Sequence, residues 1–380
     1  MNPEITRTGF GEDHAIFRAS VRQFVHDHLF PHLDRWETEG VVDRSFWQAC
    51  GTFGLIGPQI SAAYGGAGLD YRFNAIVAEE MGYSGQLNGV VLQSDVIVPY
   101  VAHYGSEAVR TAWLPGLLSG DIIAAIAMTE PGAGSDLQGI RTAAKCDGDD
   151  YVINGSKLFI TNGVQADVVV VVARTDPDAG AKGISLILVE TDRPGFERGR
   201  KLDKIGNRSA DTAELFFHDV RVPASNLLGE PGRGFVYLME QLPQERLSIA
   251  VAAQASAQRA FDEAVAFARQ RPAFGQTVID FQNTRFALAD MKARLQAGWA
   301  HLDWAIARHV AGELTAAEAS AAKLWHSEMQ WQVVDTCLQL HGGAGYINEY
   351  PIARIWRDAR VQRIYGGTSE IMKEVIGRTL

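Results

Sequence analysis

The stretch Ala127-Met-Thr-Glu-Pro-Gly-Ala-Gly-Ser-Asp136 decides the fold, because an apolar run of strand character ends there in a glycine-rich loop. Pro131 lacks an N–H and has a fixed φ, and the two glycines that follow it can adopt positive φ, so we predict a tight loop after Thr129. Backbone N–H groups left unpaired in such a loop can point at an anion. The hydroxyls of Thr129 and Ser135 add two more donors.

A second stretch, Lys157-Leu-Phe-Ile-Thr-Asn-Gly163, has the same design. A strand ending in Phe159 delivers Thr161 to a turn that ends in glycine. Two strand ends that carry an aromatic ring and two threonines suit one face of a planar, polar heterocycle with a phosphate tail. Each stretch alone is equally typical of an ordinary strand-to-turn transition, because short motifs often match by chance.

Length and composition predict a globular protein of two or three domains, with 380 residues of which 47% are apolar. The net charge of −10 argues against a nucleic-acid or anionic-membrane partner. There is no run of about 18 apolar residues, so we predict no membrane span.

The amino terminus and the cysteines favour a cytoplasmic protein. The first residues show neither a basic and apolar secretory signal nor an Arg-rich presequence, although removal of a mitochondrial presequence is left open. The three cysteines, Cys50, Cys146 and Cys337, are scattered without C-x-x-C spacing, so neither a metal site nor a disulfide framework is predicted.

Periodicity predicts an α+β multidomain architecture. Apolar residues recur at helical spacing from residue 12 to about 121, short Val- and Ile-rich strands follow to 228, and helical spacing then returns. We therefore predict a helical N-domain (1–121), a central antiparallel β-domain built as a barrel or sandwich (122–228), and a C-terminal antiparallel four-helix bundle (229–380). The β-connections are too short for β-α-β crossovers, which excludes a Rossmann domain.

Further segments in the last third of the chain share a pattern with a known family. They are Arg271-x-x-Phe274-Gly275, Phe281-Gln282, the run from Gln339 to Pro351, and the run from Asp358 to Glu370. Together with the two central stretches they closely resemble the acyl-CoA dehydrogenase family, over nearly the whole chain from about residue 12. The joint match is specific, although each piece alone is weak.

The resemblance implies an FAD cofactor. The positions that match family contacts within one subunit are Ile126, Met128, Thr129, Gly134, Ser135, Phe159, Ile160, Thr161, Thr368 and Glu370. Those that match contacts with the FAD of a neighbouring subunit, or with its adenine end, are Arg271, Phe274, Gln282, Gln339, Gly342 and Gly343. The guanidinium of Arg271 suits a pyrophosphate, but a surface ion pair is an equally ordinary use of such a residue.

The resemblance also implies α,β-dehydrogenation of an acyl-CoA thioester to the trans-2-enoyl-CoA, in fatty-acid or branched-chain oxidation. A carboxylate removes the α-proton while a β-hydride passes to flavin N5. In much of the family this base lies between the Tyr and Gly of the last motif, where this chain has Gly366. In the long-chain and isovaleryl-type members the base lies at the position of Glu245, which we expect near the start of a long helix, with Pro243 in its first turn. The alternative is that Glu245 is only a helix-start charge.

Further roles follow from the same resemblance. The backbone N–H of Gly366 is expected to donate to the thioester oxygen, which gains negative charge in the reaction. Residues expected to contact substrate are Ser135, Lys182, Pro243, Gln244 and Arg246. The family further implies a homotetramer built as a dimer of dimers and an electron-transferring flavoprotein as acceptor. Two other functions stay open: an acyl-CoA oxidase-like enzyme that uses O₂, and a non-catalytic flavin-binding or scaffold protein.

Overall fold

The structure, a computed structural model, describes residues 7–85 and 89–380. The first six residues, which begin the predicted N-domain, lie outside the described residues. None of the helices in the described ranges has the length and apolar character needed to cross a membrane.

The chain begins with packed helices, as predicted. They are Glu12–Phe24 (α1), Leu33–Glu39 (α2), Arg44–Thr52 (α3), Tyr71–Tyr83 (α4), Gly89–Leu92 (α5), Val98–Tyr104 (α6) and Glu107–Ser119 (α7). A π-helical turn, Gln93–Ile97, separates α5 from α6. Pro99 then lies in the first turn of α6, where its missing N–H has little effect.

The middle of the chain forms one large sheet. Its strands are Ala124–Ala127 (β1), Ala143–Asp147 (β2), Asp150–Thr161 (β3), Val168–Arg174 (β4), Ile184–Glu190 (β5), Phe196–Lys201 (β6), Thr212–Pro223 (β7) and Leu227–Leu228 (β8). The order β6-β7-β3-β2-β4-β5-β8 is an open path, with β1 paired to β4, so the described strands do not close the barrel offered as one alternative. Most pairs are antiparallel, but β4 pairs in parallel with both β1 and β2, which we did not predict.

Strand β4 shows why the sheet is buried on both faces. Val168, Val170 and Val172 pack in one apolar cluster with the N-terminal helices. Val169 and Val171 point to the opposite face and join a separate cluster within the sheet. A strand that is buried on both faces has a continuous run of apolar residues, as β4 has.

The C-terminal part is helical, with Gly234–Gln270 (α8), Gln282–Val310 (α9), Ala316–His341 (α10), Pro351–Ala359 (α11) and Ser369–Gly377 (α12). A two-stranded hairpin, Pro272–Ala273 (β9) with Gln276–Thr277 (β10), joins α8 to α9. The predicted start of the long helix was wrong, because α8 begins at Gly234 and carries Pro243 in its interior. Glu245 therefore lies about three turns into the helix, so the helix dipole does not explain its role.

The crossing of α3 and α7 leads to a prediction about stability. Gly120 ends α7 with φ +75°, and a Cβ there would overlap the backbone carbonyl of Trp47. We expect Gly120→Ala to destabilise the protein by about 2–5 kcal/mol, because left-handed strain and a backbone clash add together. Gly312→Ala is the matched control, since Gly312 has φ +72° with open space around it. Thermal unfolding should show a clearly larger loss for Gly120→Ala, and equal losses would contradict the packing argument.

Candidate active site

Glu245 is a buried carboxylate whose proton affinity is matched to neutral pH. It is 7% exposed, and the hydroxyl of Tyr100 in α6 donates to its Oε1 at 2.7 Å. Burial raises the pKa of Glu245 to about 7, while the hydrogen bond from Tyr100 and the charge of Arg246 act in the opposite direction. A carboxylate with a pKa near the working pH is suited to general-base catalysis.

The turn of α8 around Glu245 is fixed to the π-helical turn between α5 and α6. Gln244 Nε2 donates to the backbone oxygen of Asp95 at 2.6 Å, and Ser248 Oγ donates to Asp95 Oδ2 at 2.6 Å. Asn74 also donates to the Asp95 carboxylate. Burial raises the pKa of Asp95. These bonds hold α8, which carries Glu245, against the π-helical turn that leads into α6, which carries Tyr100.

Gly366 lies against the same face of α8. It has φ +63°, and a Cβ at this position would overlap Cδ1 of Ile249. Residues four apart in a helix lie on one face, so Ile249 and Glu245 face the same side of α8. The space that a side chain at position 366 would need is therefore filled by Ile249, and the carboxylate of this region comes from α8 instead.

The glycine-rich loop after β1 meets the end of β3. Leu158 N donates to Thr129 O at 2.9 Å, which places Thr129 beside Phe159. Phe159 has φ +62°, unusual for a non-glycine residue, and its ring is 62% exposed. An aromatic side chain held in a strained conformation and left uncovered is typical of a ligand contact.

A buried ion pair supports this junction from behind. Lys157 Nζ donates to Glu130 Oε1 at 2.9 Å and to Met128 O at 3.0 Å. The Glu130 carboxylate also accepts from the backbone N–H groups of residues 141 and 142, at 2.6 and 2.9 Å. Burial lowers the pKa of Lys157 to about 8. The two predicted ligand-binding stretches are thus joined by one charged cluster.

The predicted site residues fall into two groups in space. One group lies on the loop after β1, at the end of β3, on α8 next to Glu245, and on the segment that leads into α12; it consists of Ile126, Met128, Thr129, Gly134, Ser135, Phe159, Ile160, Thr161, Pro243, Gln244, Arg246, Gly366, Thr368 and Glu370. Thr368 caps α12, and its side chain accepts a hydrogen bond from Ile371 N. Lys182 lies apart from Glu245 in sequence and is exposed in the turn before β5.

The second group lies at the far ends of the long helices. Arg271 caps the C-terminus of α8, which at 1.5 Å per residue is about 39 Å from Glu245. Phe274, at the tip of the hairpin, is 97% exposed. Gln282 begins α9, and Gln339, Gly342 and Gly343 lie exposed at the end of α10. This group is too distant to serve the Glu245 region of the same subunit directly.

The residues of the first group fit an FAD. Thr129 and Ser135 make no side-chain hydrogen bond to the rest of the described chain, so their hydroxyls are available to a ligand. The exposed ring of Phe159 offers an apolar face, and Gly132 leaves open space where a Cβ would stand. Hydroxyl donors, a flat apolar contact and a glycine cradle match the polar edge, the ring face and the phosphates of such a cofactor.

Sequence reasoning missed Tyr100, the Glu130–Lys157 pair and Lys323. Tyr100 stands 145 positions from Glu245, so no local pattern connects them. Glu130 and Lys157 each belong to a quoted stretch, and opposite charges at the two strand ends were the available signal. Lys323 is fully buried in α10, and its Nζ donates to the backbone oxygen of Gly367 at 2.6 Å.

The buried ion pair leads to a second prediction. We expect Lys157→Met to destabilise the protein by about 3–5 kcal/mol, because it leaves the Glu130 carboxylate buried without its cation. Glu130→Gln combined with Lys157→Met should lose less than the sum of the two single changes, since both charges are then gone. Denaturation of the four proteins measures this coupling, and strictly additive losses would contradict it.

Comparison with protein families gives three matches along the chain. The N-terminal domain of acyl-CoA dehydrogenase matches residues 11–121, its middle domain matches 125–220, and its C-terminal domain matches 232–380. A long-chain specific acyl-CoA dehydrogenase of Sus scrofa mitochondria is 51% identical over 374 residues, covering 98% of this chain and 87% of the relative.

Solved structures agree. An acyl-CoA dehydrogenase from Geobacillus kaustophilus is 47% identical with a TM-score of 0.97, covering 98% of this chain and 99% of that one. A glutaryl-CoA dehydrogenase from Mycobacterium smegmatis, in complex with FADH2, is 30% identical with a TM-score of 0.91, covering 97% and 95%. These comparisons confirm the predicted fold, enzyme class and flavin cofactor, and the chain belongs to the acyl-CoA dehydrogenase family.

Proposed function

We propose that Glu245 is the base that removes the α-proton of an acyl-CoA thioester, and that Gly366 donates its backbone N–H to the thioester oxygen. The observation that carries this proposal is the buried Glu245 carboxylate, with a pKa of about 7, beside a Gly366 whose side-chain space is filled. When bound, the flavin supplies the acceptor for the β-hydride.

The two carboxylate oxygens of Glu245 have different surroundings because only one accepts the hydrogen bond from Tyr100. Oε1 accepts from Tyr100, and Oε2 makes no hydrogen bond to the rest of the described chain, so it is free to take a proton. A buried carboxylate is more easily accommodated when neutral, which favours proton uptake. Tyr100 opposes this by stabilising the charged form, and the balance leaves the pKa near neutrality.

The negative charge that develops on the substrate requires hydrogen-bond donors near the thioester oxygen. As the α-proton leaves, negative charge moves to the thioester oxygen, and a preorganised N–H at Gly366 stabilises it without reorganisation. Glycine serves this purpose because the donor is the backbone, and because φ +63° is readily adopted only without a Cβ.

The acyl group is proposed to be a long chain, in view of the 51% identity to a long-chain specific enzyme over 98% of this chain. For the CoA part we propose contacts with Ser135 and Lys182, both exposed. Gln244 and Arg246 are buried and hydrogen-bonded within the protein, so we propose that they shape the substrate site. Pro243, half-buried and two residues before the proposed base, borders it.

Assembly with a second copy, within the homotetramer proposed from the family, is supported by the position of the distant group. Because Arg271, Phe274 and Gln282 lie at the far end of α8, they reach a cofactor bound near Glu245 only if a second copy brings them there. The fully exposed aromatic ring of Phe274 at a hairpin tip suits such a contact. An electron-transferring flavoprotein is the proposed acceptor of the electrons.

The base assignment predicts the effect of one substitution. Glu245→Gln should keep FAD bound and lower turnover of a long-chain acyl-CoA by about 10²–10⁴-fold or more, because the amide cannot accept the α-proton. Anaerobic addition of acyl-CoA, with flavin bleaching as the signal, measures the step directly. Glu240→Gln, on an exposed position of the same helix, is the matched control and should bleach normally. Normal bleaching by the Glu245→Gln variant would refute the assignment.

The pKa of the base predicts the pH profile. Turnover should rise as pH increases through about 7, since only the deprotonated Glu245 accepts a proton. Tyr100→Phe removes a hydrogen bond that lowers this pKa, so the rising limb should move to higher pH. Tyr104→Phe is the control, because Tyr104 donates to Glu240 instead. An unchanged limb in the Tyr100→Phe variant would show that this bond does not tune the base.

A further inference from the structure

The segment that follows Tyr365 presents a row of backbone donors. Gly366 and Gly367 have φ +63° and +94°, and the N–H groups of Gly366, Gly367 and Thr368 donate to no acceptor in the described part of the chain. Successive N–H groups in turns with left-handed residues form concavities that attract negative charge. This row stands beside Ile249, on the face of α8 that carries Glu245.

The carbonyl groups of the same segment point at two buried cations. Lys323 Nζ donates to Gly367 O at 2.6 Å, and Arg246 Nε donates to Gly366 O at 3.5 Å. Arg246 is itself held by a 3.0 Å bond to Ser320 Oγ. In a planar trans peptide the C=O and the following N–H point in opposite directions. Cations that hold these two carbonyls therefore turn the N–H groups of Gly367 and Thr368 the other way.

Lys323 is unusual because it is a buried lysine that contacts the carbonyl of Gly367. It is 0% exposed, and no carboxylate forms a close ion pair with its ammonium in the described residues. The charged groups that face it are Arg246 on α8, Glu328 on its own helix, Arg363 before α12 and Glu370 on α12. Burying an ammonium without a direct counterion is unfavourable, so its presence behind a peptide carbonyl calls for a function.

We propose that Lys323 is a positioning residue for the reaction: with Arg246, it holds the carbonyls of Gly366 and Gly367, which orients the N–H groups of Gly367 and Thr368 and fixes the segment that carries the Gly366 N–H beside α8. There the Gly366 N–H would meet the thioester oxygen, and the other donors of the row would be offered to the flavin when it is bound. The positive charge of Lys323 also polarises the peptide group it holds and so strengthens the following N–H as a donor. This inference rests on the proposed function and deepens it.

The pKa of Lys323 predicts a feature of the pH profile of turnover. Burial, with a smaller contribution from Arg246, lowers the pKa of Lys323 to about 8. Below that pH the ammonium carries its charge, and above it the charge is lost. Turnover of the native enzyme should therefore fall as pH rises through about 8, which gives a bell-shaped profile together with the rising limb of Glu245.

Three variants of the FAD-loaded protein test the proposal. Lys323→Met keeps the length without the charge and should lower kcat by about tenfold to a hundredfold with little change in KM, because donors are displaced rather than removed. Lys323→Arg keeps the charge at all accessible pH values, so its kcat should lose the falling limb near pH 8. Lys292→Met, the same change at an exposed position of α9, is the control and should behave as the native enzyme.

A measurement without turnover completes the test. Removal of the flavin and titration of the apoprotein with FAD, followed by flavin fluorescence, should show several-fold weaker binding for Lys323→Met and near-native binding for Lys323→Arg. Native kcat and native FAD affinity in Lys323→Met would overturn the proposal. If that variant does not fold, a falling limb that remains near pH 8 in Lys323→Arg overturns it equally. A fully active Glu245→Gln enzyme would instead remove the proposed function itself, so the two failures are distinguishable.

Discussion

The burial of one carboxylate between α6 and α8 is the constraint on which the active site depends. Glu245 could not act as a base near neutral pH if it were solvated, because an exposed glutamate has a pKa of about 4.3. Burial raises that pKa to about 7, and the hydroxyl of Tyr100 keeps it from rising further. The bonds from Gln244 and Ser248 to Asp95 hold α8 against the helical turn that precedes α6, so contacts within the core also position the proposed base.

The sheet, the helix α8 and the glycine segment before α12 contribute different parts of the proposed chemistry. The sheet offers Thr129 and Phe159, joined by a backbone bond and supported by Glu130 and Lys157, as a surface for a flat cofactor. The long helix α8 carries Glu245, the proposed base. The glycine segment before α12 offers backbone donors, and buried cations stand behind it. Each part alone is ordinary, and in the proposed reaction they act together to remove a proton while a hydride leaves the adjacent carbon.

Local patterns predicted much of this structure, and contacts between distant residues account for the rest. The paired loop motifs, and the presence of Glu at position 245 together with Gly at position 366, could be recognised in the sequence because each motif spans only a few residues. The start of α8 was mispredicted because Pro243 usually marks a first turn, whereas here it lies inside a 37-residue helix. The parallel pairing of β1 with β4 and the bond from Tyr100 join segments far apart in sequence, so no periodicity reports them. No local pattern singles out Lys323, and only the packing of α10 against the last loop shows it to be buried.

The most direct measurement is a crystal structure of the FAD-loaded enzyme with a long-chain acyl-CoA analogue that cannot be dehydrogenated. We predict that a Glu245 oxygen lies about 3–3.5 Å from the α-carbon, on the side opposite the flavin. We also predict that the Gly366 N–H lies about 3 Å from the thioester oxygen. A Glu245 side chain turned away from the α-carbon, with a different carboxylate in contact with it, would contradict the assignment of the base.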